Sequence, residues 1–408
     1  MGMAPASRRL WTAAAPWPQG AADHRQRAGP TPRPPPPHAG APRPHARPRD
    51  ALQLGPAVQA VVISSRDAAR EAFTKHDRRL AARYTPDAVR ALGWADRSMV
   101  YLPSTDPLWT TQRGIVATHL FAPRSLAMAG SVRERKVRDL VDHLRLRAAA
   151  AGRGRVVDLG KVLYNGMINL VSNVFFSVDV VDLDDANESA HGIREHVEGL
   201  ADMMTKLNVS DLFPFLRPLD LQGRRRAAGR HMAAIFSIVD GIIDRGLLAG
   251  GSNKDEHDDF LQEVLRMHPV APVMVPHLAV EDGVEIGGYA VPKGSTVFFN
   301  VWAIMRDPAV WDRPDEFEPE RFLDGGRAAE LDYKGKDYEY IPFGSGRRQC
   351  PGLPMVERVV PHMLASLLHA FEWRLPEGKS AEQLDVSERF TTANVLAVPL
   401  KAVPIVIT

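Results

Sequence analysis

Apolar residues recur at helical spacing along most of the chain. The stretches 132–146, 162–176, 231–248 and 353–371 each carry apolar residues three and four positions apart, which is the pattern of a helix with one buried face. Pro361 interrupts the last of these helices. The number and length of these segments predict a mainly α-helical protein.

Shorter apolar runs predict a small amount of sheet. A valine-rich run at 58–63 precedes Ser64-Ser65, a helix-capping signal, and a helical pattern follows at 68–76. The runs 284–291 and 296–299 have the composition of strands, with glycines at their turns. We therefore expect a mainly α fold with minor β structure.

The first fifty residues differ in composition from the rest. They contain twelve prolines and eight arginines, and only two acidic residues. Such a segment cannot bury enough apolar surface to offset its ordering entropy, so we predict a disordered tail at 1–51 and one domain at 52–408. The tail has no apolar run of membrane-spanning or signal-peptide type. A shifted reading frame and a proline-rich recognition ligand are alternative interpretations.

Overall composition excludes several classes of function. The chain has 408 residues, 45% hydrophobic residues and a formal net charge of +2, which suits a large enzyme and not a dedicated nucleic-acid binder. A single cysteine excludes an intramolecular disulfide. The sequence contains neither a paired-cysteine zinc motif nor a phosphate-binding glycine loop.

That single cysteine, Cys350, has unusual neighbours. An isolated cysteine is most often a small buried hydrophobe, but here Gly346 and Gly352 allow positive φ and a close backbone approach to a flat cofactor. Pro351 suits the first turn of a following helix. The N–H groups of such a helix favour a thiolate, the form that binds a metal.

The run from Phe343 to Gly352 resembles the haem-binding loop of the cytochrome P-450 monooxygenases, Phe-x-x-Gly-x-Arg-x-Cys-x-Gly, without departure. The resemblance implies haem b with Cys350 as the iron ligand. It also implies that Arg348 pairs with a haem carboxylate and that Phe343 shields the sulfur.

Other parts of the sequence fit the same cofactor. Trp109 and Arg113 stand at i and i+4, on one face of a predicted helix, and the resemblance places them at a haem propionate. The alternative is an ordinary aromatic–arginine contact at a helix surface. His277 lies where the family often has a basic residue facing the second propionate.

A structural signature lies between these segments. Glu263 and Arg266 are three residues apart on a short helix, and Arg321 follows within Pro-Glu-Arg-Phe. Such pairs are usually solvated surface salt bridges of little energetic value. The resemblance instead implies a buried ionic triad that fixes the fold around the cysteine loop.

Two segments are candidates for a substrate pocket. By resemblance, Ala271, Val273 and Met274 line one wall, and Ala393 and Asn394 line a second. The apolar connection 209–221 would lie near the membrane and the substrate entrance, although a buried loop is an equally good interpretation of the sequence.

One family element is missing from the sequence. The long distal-face helix, with its Ala/Gly-Gly-x-Asp/Glu-Thr motif, does not occur, and residues 250–262 run directly into the Glu-x-x-Arg helix. We predict an internal deletion there. The acid and alcohol of that motif normally deliver protons to bound oxygen, so catalysis is in question even if family membership is not.

The resemblance implies a monooxygenase that inserts one atom of dioxygen into a small lipophilic substrate. Segments such as 62–73, 212–216 and 352–355 resemble plant microsomal geraniol hydroxylases and diterpenoid oxidases, which indicates terpenoid secondary metabolism. The implied partner is an NADPH-dependent reductase at the cytosolic face of the endoplasmic reticulum; without an anchor, a cytosolic or peripheral location is the alternative. The competing hypothesis is a haem-binding truncation product without monooxygenase activity.

Overall fold

The computed structural model of the chain describes residues 51–149, 156–181, 183, 192–206, 208–243, 259–323, 325–390 and 393–407. The tail predicted at 1–51 lies outside this range, except for Ala51, which begins the first strand. The deletion predicted near 250–262 lies outside it up to residue 258.

Helices make up most of the regular structure, so the predicted mainly α class with minor β is confirmed. Further helical stretches among the described residues differ from α geometry, at 87–93, 116–120, 214–219, 319–322, 346–348 and 381–383. The α-helices are α1 (Arg66–Lys75), α2 (Asp77–Leu80), α3 (Pro107–Ile115), α4 (Pro123–Met128), α5 (Gly130–Ala149), α6 (Leu159–Phe176), α7 (Ile193–Thr205), α8 (Val209–Leu212), α9 (Arg224–Ile243), α10 (Asp259–Met267), α11 (Val301–Ile304) and α12 (Leu353–Ala370).

In the described part of the chain the strands are short and form four small sheets. They are β1 (Ala51–Leu54), β2 (Val58–Ile63), β3 (Ala82–Arg83), β4 (Val157–Asp158), β5 (His277–Leu278), β6 (Val284–Ile286), β7 (Tyr289–Val291), β8 (Thr296–Phe299), β9 (Phe371–Arg374), β10 (Glu388–Phe390), β11 (Asn394–Leu396) and β12 (Lys401–Val406).

The largest sheet has the strand order β1-β2-β8-β5-β3. Strands β2 and β8 are parallel, with Ile63 opposite Phe299, and β5 pairs antiparallel to both β8 and β3. This sheet brings His277 on β5 next to Arg83 on β3, although 194 positions separate them in the sequence. A histidine and an arginine side chain therefore meet near one edge of this sheet.

The predicted helices at 132–146 and 162–176 lie within α5 and α6, which pack together with α12. Leu140, Leu144 and Leu170 are fully buried in this contact. Pro361 lies inside α12, which runs without a break to Ala370. This bundle supports the helix that begins just after Cys350.

Glu263, Arg266 and Arg321 form a buried ionic cluster. Both oxygens of Glu263 accept from Arg266, at 2.7 and 2.8 Å, and the Arg321 Nε lies 3.2 Å from Glu263 Oε1. The same oxygen accepts from the backbone N–H of Glu318 at 2.9 Å. A bidentate arginine and satisfied lone pairs are the conditions under which a buried ion pair is tolerated.

The arginines of this cluster also hold the segment that leads to Cys350. Arg266 donates to the carbonyl oxygens of Met305 and Pro314, at 3.1 and 2.9 Å. The Tyr340 hydroxyl donates to the Gln262 carbonyl at 2.7 Å, on the same helix as Glu263. Tyr340 is fully buried. The ion cluster thus fixes the chain ten residues before the cysteine.

We expect Glu263→Gln to lower the free energy of unfolding by about 3–5 kcal/mol, because two buried guanidinium groups lose their shared carboxylate. Asp142→Asn is the control, since Asp142 pairs with Arg145 on the surface and its loss costs about 0–1 kcal/mol. Denaturant unfolding of the two variants measures the difference. Equal, small losses would show that the cluster does not stabilise the fold.

Candidate functional site

The loop before Cys350 has the backbone conformation that its glycines permit. Gly344 and Gly346 have φ of 74° and 64°, a region that other residues avoid. A Cβ atom on Gly346 would lie 2.3 Å from Asp77 Oδ1, so α2 packs directly on this loop. The Cys350 N–H donates to the Phe343 carbonyl at 2.9 Å, which closes the loop.

The prediction for Gly352 and Pro351 was wrong in detail. Gly352 has φ of −83° and caps α12, whose first turn contains Pro354, while Pro351 precedes the cap. The backbone at Gly352 is already in the right-handed helical region, so this position does not use the positive φ that glycine permits. A Cβ on Gly352 would still lie only 3.9 Å from the Cys350 Sγ, so the start of α12 lies beside the sulfur.

Trp109 and Arg348 meet on one side of this loop. Asp106 caps α3 by accepting from the Leu108 N–H at 2.8 Å, and Trp109 on this helix is buried. The Arg348 guanidinium lies 5.1 Å from the Trp109 ring centre. It also donates to the carbonyl oxygens of Ala81 and Met99, at 2.6 and 2.9 Å.

Arg113 stands one turn further along α3. Its Nη2 donates to the Gln349 carbonyl at 2.6 Å, next to Cys350. Burial lowers the pKa of Arg113, and the nearby Cys350 sulfur opposes that shift. Arg113 is therefore held against the cysteine loop.

Phe343 packs against Tyr333, with ring centres 5.8 Å apart. It joins the cluster around Tyr340 and Leu353. The structure thus places this aromatic ring in the core beneath the cysteine loop.

His277, which is buried, and Arg83, which is partly buried, complete a group of basic side chains beside the cysteine loop. The His277 Nδ1 lies 2.8 Å from the Leu80 carbonyl. Burial, followed by the charge of Arg83, holds the pKa of His277 well below its usual range. Sequence reasoning missed Arg83, because no local motif marks it; only the β3–β5 pairing brings it here.

The arginines of this group crowd one another. Burial and then the charge of Arg348 lower the pKa of Arg83 to about 9. Burial and then the charge of Arg113 lower the pKa of Arg348 to about 10, with Asp77 acting in the opposite direction. Within the described part of the chain, the Arg83 Nε is buried and has no hydrogen-bond partner. Such a group of cations calls for an anionic ligand.

A mostly apolar cavity of about 330 Å³ lies between the largest sheet and the segments around α8. Ala271, Val273 and Met274 line it, as expected for a pocket wall. Met274 also reaches the cysteine loop: a Cβ on Gly344 would lie 3.7 Å from its Cε. Met274 therefore lies between the cavity and the cysteine loop.

The second predicted wall differs from expectation. Ala393 and Asn394 are not among the residues that line the cavity, whereas Phe390 of the same hairpin is. The Asn394 N–H donates to the Val270 carbonyl at 2.8 Å, so the hairpin is bound to the first wall.

The comparison with protein families matches the cytochrome P-450 model to residues 51–246 and 257–398. The chain belongs to the cytochrome P-450 family. It is 51% identical over 436 residues to rice (Oryza sativa subsp. japonica) cytochrome P-450 76M5, with 88% of this chain and 85% of the relative covered. It is 47% identical to rice ent-cassadiene C11-alpha-hydroxylase 1, covering 87% and 86% of the two chains.

The fold agrees with this family. A zebra fish cytochrome P-450 structure with progesterone superposes with a TM-score of 0.60 at 18% identity, covering 88% of this chain and 96% of that one. Among the described residues, no helix has both the length and the apolar character needed to span a membrane. The family and its relatives show an oxygen-incorporating oxidoreductase related to terpenoid-modifying enzymes.

Membership of the cytochrome P-450 family implies haem, and the residues present fit that group. Haem carries two carboxylates, and Arg83, Arg113 and Arg348 supply cationic groups at one place, with an unused buried donor at the Arg83 Nε. The chain's only cysteine lies beside them. A thiolate ligand and carboxylate partners are therefore both available from this chain.

We expect Arg83→Gln to weaken haem retention about tenfold or more, since a charge-assisted hydrogen bond is worth about 1.5–3 kcal/mol. The haem-free protein should not lose stability, because a crowded buried cation is removed. Arg79→Gln, at an exposed salt bridge with Glu281, is the control. Transfer of haem to an acceptor protein measures retention; unchanged retention in Arg83→Gln would contradict this assignment.

Proposed function

We propose that this cytochrome P-450 hydroxylates a small lipophilic terpenoid and receives electrons from an NADPH-dependent reductase. The observation that carries the proposal is the arrangement of Cys350 and three partly buried arginines at one loop, with Met274 joining that loop to an apolar cavity. The name of the ent-cassadiene hydroxylase at 47% identity supports the substrate class.

Each part of the site has a separate task in this proposal. The Cys350 thiolate would hold the iron of haem, and the bound group would supply the oxygen-activating chemistry of a haem-thiolate centre. Arg348 and Arg113 would neutralise the carboxylates of the cofactor, and Trp109 packs on Arg348. The buried aromatic and aliphatic side chains around the loop limit the access of water to the sulfur.

The cavity matches a lipophilic substrate. Its volume of about 330 Å³ is at the lower end of the range for small-molecule sites, about 300–1,000 Å³. Aliphatic and aromatic side chains dominate its wall. A hydrocarbon skeleton gains free energy there by leaving water, in proportion to the apolar area buried.

An exposed apolar segment supports a peripheral position at the endoplasmic reticulum membrane. Phe215 is 75% exposed, and Leu219 and Leu221 are also exposed, on the connection that precedes α9. This is the exposed alternative of the two interpretations of 209–221. A cluster of large apolar side chains in contact with water favours an interface with lipid or protein.

A second candidate function rests on the missing distal motif. The Ala/Gly-Gly-x-Asp/Glu-Thr sequence does not occur in the chain. The alignment to the rice relative runs over 436 residues, whereas 88% of 408 residues is about 359, so about 77 aligned positions lack a counterpart here. We infer that proton delivery on the distal side is impaired, and that the chain then binds haem but releases reduced oxygen as peroxide.

Stoichiometry separates these two functions. We expect a coupled enzyme to form close to one hydroxylated product for each NADPH consumed, with a plant reductase and a diterpene hydrocarbon present. The impaired alternative predicts peroxide in nearly the same amount as NADPH consumed, and little product. Product, NADPH and peroxide are measured in one reaction, with Cys350→Ala as the control. No NADPH consumption above that control would contradict both functions.

A further inference from the structure

Two histidines face each other between α7 and α9. His196 lies on α7 and His231 lies on α9, and their Nδ1 atoms are 3.2 Å apart. The ring centres are 5.4 Å apart, with an angle of 58° between the two rings. Both residues are partly exposed, so the pair is not sealed inside the core. Neither residue lines the apolar cavity.

The two helices that carry these histidines are packed together. His196, Leu200 and Met203 lie on one face of α7, because they are spaced four and three residues apart. Leu200 and Met203 belong to an apolar cluster that also contains Ala228 and Met232 of α9. This apolar contact therefore fixes the separation of the two helices, and with it the separation of the imidazoles.

Gly199 makes room for one of the two rings. A Cβ atom on Gly199 would lie 2.4 Å from the His231 Cε1 and 2.9 Å from its Nδ1, so the imidazole lies directly on the backbone of α7. A side chain at this position would displace the ring. The His231 ring is thus held against α7, with its Nδ1 towards His196.

The distance between the two nitrogen atoms suits a shared metal ion. Metal–nitrogen bonds of about 2.0–2.1 Å place two histidine nitrogens about 3.3–3.4 Å apart at a tetrahedral angle, and about 2.9 Å apart at a right angle. The observed 3.2 Å lies between these separations. A hydrogen bond from one imidazole to the other is the alternative that has the same distance.

The surroundings of the pair limit what the ion would bind. Arg194, two residues before His196, pairs with Glu198 at 2.9 Å and lies over the Tyr164 ring, so a carboxylate neutralises its charge. Among the described residues, no third histidine, cysteine or carboxylate completes a set of three ligands. An ion here would have two protein ligands, with water in its remaining positions.

We propose that His196 and His231 form a binding site for a divalent transition-metal ion such as Zn²⁺, which joins α7 to α9. Imidazole nitrogen suits zinc, copper and nickel, whereas Mg²⁺ and Ca²⁺ prefer oxygen ligands. Met204 and Thr205 at the end of α7 line the cavity, so the ion would anchor a helix that forms part of the cavity wall. The inference does not depend on the proposed function.

The test is calorimetric titration of the full-length protein, supplied with haem, with Zn²⁺. We expect about one ion per chain, and about a hundredfold weaker binding of that ion when either imidazole is lost, because two linked ligands bind far more tightly than one. The variants are His196→Asn and His231→Asn. Asparagine keeps a hydrogen-bonding group near the Nδ1 position but is not among the usual ligands of Zn²⁺.

A variant that lacks both histidines distinguishes one shared ion from two independent ones. It should bind Zn²⁺ about as weakly as either single variant, because each single loss already removes the shared coordination. Thermal unfolding is a second readout. Saturating Zn²⁺ should raise the Tm of the wild-type protein, EDTA should reverse the rise, and the single variants should lose it.

His369→Asn is the matched control, because His369 is exposed on the last turn of α12 and its loss should leave this Zn²⁺ binding unchanged. Equal Zn²⁺ affinity in the wild type and the single variants would show that the two imidazoles are only hydrogen-bonded, and would overturn the proposal. Losses that add up in the double variant would overturn it too, since they indicate separate ions. If one single variant does not fold, the other decides the question.

Discussion

The buried carboxylate of Glu263 is the interaction on which the rest of the structure depends. It accepts hydrogen bonds from Arg266, Arg321 and a backbone N–H, and the two arginines in turn hold carbonyl groups of an irregular segment. An irregular segment has few hydrogen bonds of its own to offset its ordering entropy. The ion cluster supplies them and so fixes the approach to Cys350.

The geometry of the site depends on this ion cluster. The cysteine loop lies between a rigid segment before it and the long helix α12 after it, and α2 packs on its glycines. The loop lies against α3, which contributes Arg113. The β3–β5 pair contributes Arg83 and His277. The same sheet forms a wall of the cavity, so cofactor contacts and substrate contacts share one support.

The spacing of apolar residues along the sequence predicts the long helices. The cofactor role of the cysteine loop and the burial of the Glu-x-x-Arg pair were expected only from the family resemblance, because spacing alone favours a surface salt bridge. Arg83 was not predicted, because its place in the site arises from pairing with His277, 194 positions away in the sequence. The short strands β3, β4 and β5 were missed for the same reason, since two-residue strands exist only through non-local pairing.

The central claim is that Cys350 serves as the thiolate ligand of haem in a loop that this chain can still assemble. The most direct measurement is the carbon monoxide difference spectrum of the reduced, haem-supplied protein, beside Cys350→Ala. The account predicts a red-shifted Soret band typical of a thiolate ligand, and its disappearance in the variant. The absence of haem uptake, or a band at the position of a neutral ligand, would contradict it.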